Sequence, residues 1–462
     1  MSMPQIIPLP ASYRDNAGFV FEYEGKIYRC INKIYFPHYN LLLQTGLYKK
    51  LTDAGRLVRH EEVDTSLFSI GNLNDVKIIL PEQLPFISYP YEWSFDMWKD
   101  AAIVTLKVLQ IALEKGMILK DATPFNIQFN NRRPVFIDTL SFEIYKEGKP
   151  WVAYRQFCEC FLSPLLLMHY GHRDMGKFFL AYPDGIPLEI TKSLLPIKAK
   201  FNLHVYMHIW MQSKVSSITK NTPHSNKDFS LKKFEVLVNG LLDFVSSLTS
   251  KKDKSTWDDY YTDTIIGNEY LFHKKNIVAG FCESISFKTV IDLGANDGYF
   301  SMLLKEKAEY IIAIDFDSNC VNELYKKIRK EKVLNIVPLV ATLNLPSPSI
   351  GWANVERTSL TERLKADLVL ALALVHHLAV SNNVPFTKIA EWFSKMGDYL
   401  IIEFIPKNDV KVQQLLLHRT DIFFDYTIEN FKNAFGVYYN IIKEQNVGDT
   451  KRILFLMKRN LK

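Results

Sequence analysis

The C-terminal part of this chain predicts an α/β fold, with a mainly parallel sheet covered by helices on both faces. Three observations carry that expectation. First, the apolar run Thr289-Val290-Ile291-Asp292-Leu293 leads directly into Gly294-Ala295-Asn296-Asp297-Gly298, and a helix opens at Tyr299-Phe300-Ser301. Glycine lets the backbone turn sharply and approach a ligand, and the helix that follows starts with N–H groups lacking an internal partner. Second, the apolar run Tyr310–Ile314 ends in Asp315, 21 positions after Gly294. In a Rossmann-like sheet, an acid about 20 residues past the glycines is placed for ribose hydroxyls. Third, the apolar runs Ile336–Ala341, Ala366–Ala373 and Tyr399–Phe404 alternate with helical stretches such as Asn319–Lys330, capped by Asp317 or Ser318. Such alternation implies parallel strands buried on both faces, with their ends gathered at one crevice.

The bulk numbers bound the rest. A length of 462 residues predicts two to three domains. Apolar residues make up 48%, ample for buried cores, and the 13% of aromatics fits large cores or aromatic-lined pockets. The net charge of +6 is mild over this length, and no concentrated Lys/Arg stripe accompanies the glycine turn, which argues against a nucleic-acid partner. Five cysteines without C-x-x-C spacing read as reduced thiols, hence a cytoplasmic protein. The start MSMPQIIPLPASYRDN lacks a basic region followed by an apolar core, so no secretory signal is expected. No stretch reaches 18 apolar residues, so no membrane span is expected; Phe161–Met168 and Leu368–Val375 read as core segments.

Taken in order, the N-terminal region reads as mixed α+β. Phe19–Tyr23 and Lys26–Ile31 form a hairpin about Glu24-Gly25. Asn40–Ala54 is a helix ended by Gly55, and Val76–Leu80 is a short strand. Phe95–Lys115 repeats apolar residues at helical spacing, with Trp98, Ala102, Leu106, Leu109 and Leu113 on one face, and Gly116 stops it. A loop carrying Asp121 and Asn126 follows, then a turn at Asn130-Asn131 and the strand Val135-Phe136-Ile137-Asp138. Trp151–Met168, Lys200–Gln212 and Leu231–Leu248 read as helices. Ser213–Ser230 is polar and reads as a linker.

Two resemblances follow from these motifs. Val290–Gly298, Ala313-Ile314-Asp315 and Asp367–Leu370 with His376-His377 resemble, in order, the motifs of class I S-adenosylmethionine (SAM) methyltransferases. The turn is G-x-N-x-G instead of G-x-G-x-x-G, which favours a nucleoside without phosphates over a dinucleotide. The resemblance implies SAM as cofactor and Asp292, Gly294, Asn296, Gly298, Asp315 and Asn344 as its binding residues, with Thr342 an equal alternative to Asn344. The D-x-x-x-x-N of Asp121 and Asn126, with Asp138 ending the next hairpin, resembles the protein-kinase-like fold. It implies Asp121 as base, Asn126 and Asp138 as magnesium ligands, and Mg-ATP as a second cofactor. Leu119-Lys120 replaces the usual His-Arg, no glycine-rich phosphate loop is present, and Lys26 and Lys33 are the candidates for the strand lysine.

The expected organisation is a two-lobed kinase-like domain over 1–212, a linker and connecting helix over 213–256, and a methyltransferase domain over 257–462. His376 and His377 follow the fourth strand, where an acceptor meets SAM, and a neutral imidazole there accepts a proton. Glu403, ending the fifth strand, is a candidate for orienting substrate. Trp257, Tyr260 and Tyr261 are candidates for contacting SAM, and Arg357 for pairing with an anionic group. The expected function is methyl transfer to O, N or C of a small molecule or glycan. Bifunctional kinase–methyltransferases that cap bacterial surface polysaccharides combine similar modules in the opposite order. An RNA methyltransferase and a non-catalytic scaffold with a pseudokinase domain are the alternatives.

Overall fold

The computed structural model describes residues 6, 8–68, 75–214, 230–250, 268–417 and 419–460. Trp257, Tyr260, Tyr261 and residues 215–229 and 251–256 of the expected connection lie outside the described residues. The chain divides into two compact units. One comprises Met1–Lys251 with Ser349–Thr358; the other comprises Lys252–Pro348 with Ser359–Lys462.

In the first unit, strands β1 (Gly18–Tyr23), β2 (Lys26–Asn32), β3 (His60–Val63) and β4 (Val76–Pro81) form an antiparallel sheet in the order β1-β2-β4-β3. Positive φ at Glu24 and Gly25 makes the tight turn between β1 and β2. Phe21, Cys30, Phe68 and Ile78 fill the sheet's buried face. The expected helix Asn40–Ala54 is two helices, Phe36–Gln44 and Leu47–Asp53, because Gly46 adopts φ 72° between them. The helix Phe95–Leu113 buries Trp98, Ala102, Leu106 and Leu109 completely. After it come the short pairs β5 (Met117–Leu119) with β8 (Phe142–Ile144), and β6 (Ile127–Asn130) with β7 (Arg133–Phe136). The segment Trp151–Met168 is helical from Tyr154 but widens to a π-helical turn at Cys158–Leu162. It resumes as an α-helix with Pro164 in its first turn, where a missing N–H costs little.

The second unit is built on a seven-stranded sheet. Its strands are β9 (Thr289–Leu293), β10 (Tyr310–Asp315), β11 (Ile336–Val340), β12 (Ala366–Ala371), β13 (Gly397–Phe404), β14 (Tyr439–Asn446) and β15 (Ile453–Arg459), in the order β11-β10-β9-β12-β13-β15-β14. β11 to β13 run parallel, and β15 and β14 close that side antiparallel. The central strands are apolar through nearly their whole length because both faces are covered. The chain leaves β9 toward β10 on one side and later returns to pair β12 on the other. That reversal opens a crevice at the carboxyl ends of β9, β10 and β12. The five cysteines are free and buried. Among the described residues, no helix is long and apolar enough to cross a membrane.

Candidate functional site

β9 carries Asp292 to its carboxyl end, and the turn beyond is pinned to the neighbouring strand. The N–H groups of Gly294 and Ala295 both donate to the Ile314 carbonyl at 2.9 Å. Gly294, Asn296 and Gly298 all take positive φ, 75°, 51° and 79°. Asn tolerates that region, which explains how it stands where a glycine is usual. At Gly298 a Cβ would also stand 2.4 Å from Leu324 Cδ1, so that residue serves the packing of two helices as well as the turn.

Asp315 ends β10, buried. Its Oδ2 accepts the Asn296 N–H at 2.8 Å and its Oδ1 the Asp317 N–H at 2.9 Å. The Phe316 N–H also interacts with the carboxylate, and with about four lone-pair sites on its two oxygens the group retains capacity for a ligand hydroxyl. Burial pushes the Asp315 carboxyl up to about 6 against those backbone donors. Asp292 accepts from Ser301 Oγ at 2.7 Å, and burial likewise pushes it up to about 6.

A cavity of about 310 Å³ lies at this end of the sheet. Asp292, Gly294, Asn296, Asp315, Asn344 and His377 all line it, as does Thr342. Gly298 does not line it. Asn344 donates to Asn382 Oδ1 at 2.8 Å, which ties the loop after β11 to the turn after His377. The two histidines part: His377 faces the cavity, while His376 is 2% exposed and does not line it. Burial lowers His377 to about 4 and His376 well below the usual range, so both are neutral at pH 7. Their rings lie 4.1 Å apart between centroids.

Glu403 is fully buried and is not among the cavity-lining residues. Its carboxylate accepts from Tyr270 OH, from Lys274 Nζ at 2.6 Å and from the Ala373 N–H at 2.8 Å. Burial pushes its acidity down, but the Lys274 ammonium and the Arg452 guanidinium outweigh that and hold its pKa below the ordinary value. Lys274 does line the cavity, from the helix Asn268–Glu283. Sequence reasoning passed over that helix and its lysine. The signal was there: Lys274 shares one face with Val278 and Phe281, and a lysine on an apolar helical stripe is a buried charge.

The first unit holds a second polar cluster. Asn126 Nδ2 donates to Asp121 Oδ1 at 2.9 Å and to Ser141 Oγ at 3.1 Å. Ser141 Oγ lies 2.8 Å from Asp121 Oδ1 and 2.6 Å from Asp138 Oδ2. A hydroxyl has one proton, so one of the two contacts needs a proton from a carboxyl. Asp121 is its natural holder: burial, then the charge of Asp138, pushes it up to about 7. Arg29, on β2, forms an ion pair with Asp138 and, against burial, keeps that carboxyl below its ordinary range. Neither lysine considered from sequence plays this part; Lys33 pairs with Asp75 at the surface and Lys26 is exposed in the β1–β2 turn. Arg29 was legible as a charge two residues before the buried Ile31 on one strand face.

The residues expected to hold magnesium do not fit it as placed. Both Asp138 oxygens are engaged, one by Arg29 and the Leu140 N–H, the other by Ser141, and Asn126 turns its amide nitrogen to Asp121. Among the described residues there is no group of three His, Cys, Asp or Glu that could hold a metal. Arg357, belonging to this unit, lies over the Phe125 ring at 4.4 Å and so has a cation–π partner in place of an anion.

Fold and site thus define an α/β protein with a cavity at the carboxyl edge of its sheet, joined to a second unit with a guanidinium-paired carboxylate cluster. Nodulation protein NoeA of Rhizobium meliloti (strain 1021) is 33% identical over 458 residues, covering 97% of this chain and 95% of that protein. The chain belongs to the NoeA family. No family model matches it. Among solved structures, N-methyltransferase NodS of Bradyrhizobium japonicum WM9 overlaps 42% of this chain and 99% of its own, at 9% identity and a TM-score of 0.31. A SAM-dependent methyltransferase of Aquifex aeolicus overlaps 44% and 100%, at 16% identity and 0.32. The bifunctional kinase-methyltransferase WbdD overlaps 47% and 45%, at 15% identity and 0.30.

Proposed function

We propose that the unit of Lys252–Pro348 and Ser359–Lys462 is a SAM-dependent methyltransferase acting on O, N or C of a small molecule or glycan. The observation that carries this reading is the meeting, in one cavity, of a glycine turn, the Asp315 carboxylate and a neutral His377. Bound SAM would supply a methyl group already activated by its sulfonium. The chain's part is to hold donor and acceptor in line and to take a proton where the acceptor has one to lose. Asp315 accepts ribose hydroxyls, and Thr342 and Asn344 border the base. Lone pairs on His377 accept the acceptor's proton. His376 supports the ring of His377, and Glu403 acts from beneath the cavity. Incubating the full chain with labelled SAM and cell extract, followed by mass spectrometry, tests the reading. SAM binding with no labelled product would favour a binding scaffold instead.

For the first unit we infer a kinase-like fold that positions substrate without phosphotransfer. The four-stranded sheet, and the meeting of Asp121 and Asn126, from one loop, with Asp138, from the segment after β7, support the fold. The engagement of Asp138 by Arg29 supports the absence of a magnesium step.

A further inference from the structure

Residues 190–214 hold four lysines and neither Asp nor Glu. They belong to the first unit and turn large apolar side chains toward solvent. Pro196 ends the helix Leu188–Leu194 by holding Leu195 in extended backbone. A 3₁₀ turn, Ile197–Phe201, follows, and the Asn202 side chain caps the next helical turn by accepting from the N–H groups of His204 and Val205. Leu195, Ala199 and Val205 are buried, which fixes the stretch to the unit. The residues between them stand outward: Ile197 is 81% exposed, Phe201 85% and Leu203 66%, with Leu194 beside them at 49%. Single exposed apolar residues are ordinary, but four large ones between positions 194 and 203 form a patch of the kind that marks an interaction surface.

The charge around this patch has one sign. Lys198 and Lys200 are exposed between the apolar residues, and Glu189, the nearest acid before them, pairs with Lys192. His204 and Met207 share the lining of one cavity with Lys232, Lys233 and Val236 of the helix Leu231–Ser247, which brings two more lysines beside the stretch. Glu235 of that helix lines a separate cavity, with Lys107 and Glu114. Lysines interleaved with apolar residues suit the boundary between anionic headgroups and acyl chains. There the ammonium groups meet phosphates while Ile and Phe side chains enter the apolar layer.

We propose that this face, Leu194–Leu203 with Lys232 and Lys233, docks the protein on an anionic lipid surface without spanning it. Ile197 and Phe201 are the apolar anchors, and the lysines select the charge of the surface. The proposal goes beyond the methyl-transfer reading and does not depend on it.

Co-sedimentation of the full chain with vesicles tests this. Vesicles of phosphatidylcholine with phosphatidylglycerol should bind it about tenfold or more tightly than phosphatidylcholine alone, and the preference should shrink as salt rises. Lys198→Gln with Lys200→Gln should weaken binding to the anionic vesicles roughly tenfold. Ile197→Ser with Phe201→Ser should weaken it to a similar degree while leaving the thermal midpoint unchanged, because both side chains stand in solvent. The five native cysteines are buried, so Ile197→Cys can be labelled selectively with a polarity-sensitive dye. Its emission should shift to the blue on anionic vesicles, whereas the same dye at Ile34→Cys, an exposed position in the turn after β2, should not respond. No binding by wild type, or equal binding to both kinds of vesicle, would overturn the proposal. Binding that survives both double variants would overturn it too. A wild-type dimer that binds no vesicles and becomes a monomer in Ile197→Ser with Phe201→Ser would overturn it in favour of a second copy of the chain.

Discussion

Asp315 shows how one side chain serves two ends. It closes the glycine turn through Asn296 and presents its remaining lone pairs to the cavity. Asp315→Ala is expected to weaken SAM binding at least tenfold, the loss of about 1.5–3 kcal/mol of hydrogen bonding to a charged group. Titration calorimetry checks this, and equal affinity in the variant would exclude Asp315 from the site. The histidines should separate by phenotype. His377→Asn is expected to slow methyl transfer by roughly 10²–10⁴-fold with SAM affinity near normal. His376→Asn should lower stability, because it sets an amide in a fully buried place. Full turnover in His377→Asn would mean that transfer needs no base from this residue.

Asp292 adds a pH dependence. Burial raises its carboxyl to about 6 in the folded protein, above the ordinary carboxylate value of 3.8. A folded value raised above the unfolded one contributes stability that is present below the unfolded pKa and is lost as pH rises through about 6. Between pH 5 and 7.5 that loss is about 1.4 kcal/mol from this group. Urea denaturation of Asp292→Asn should show a correspondingly smaller drop over the same interval. An unchanged drop would mean that Asp292 is ionised throughout.

At the level of elements, the turn after β9 concentrates the constraints. Gly298 combines positive φ with a Cβ direction closed by Leu324. Gly298→Ala is expected to destabilise by about 1–3 kcal/mol, from strained backbone and overpacking together. A thermal midpoint equal to wild type would show that the helix Ser318–Lys330 gives way. The parallel strands β9 to β13 were legible because two-sided burial makes each a nearly unbroken apolar run. β14 was not: among its residues only Tyr439 is buried, so it has no period to read, and pairing with β15 makes it a strand. The split of the helix at Gly46 was missed because a continuous apolar pattern outweighs one glycine on paper, whereas the left-handed φ ends the helix in fact.

At the scale of the molecule, two units divide the labour in this reading. The first should be insensitive to magnesium nucleotide. Millimolar Mg-ATP is expected to leave its thermal midpoint unchanged, since Asp138 already has its cation in Arg29. A magnesium-dependent shift lost in Asp138→Ala would restore a nucleotide-binding role. That substitution also leaves Arg29 without its partner in a mostly buried place and should cost on the order of 3 kcal/mol by denaturation of the full chain.

The sequence by itself determined the parallel α/β core, its glycine turn and the acids at the ends of β9 and β10. Those features are local: an apolar run, a residue permitting positive φ, and a fixed spacing between strands. Tertiary structure alone decided which histidine faces the cavity and that Glu403 lies beneath it. It also decided that Lys274 reaches the cavity and that Arg29, from another strand, takes the place expected of a metal. Each of those outcomes depends on contacts between residues up to 133 positions apart, as Tyr270 and Glu403 are, and burial at such distances leaves no period in the chain to read.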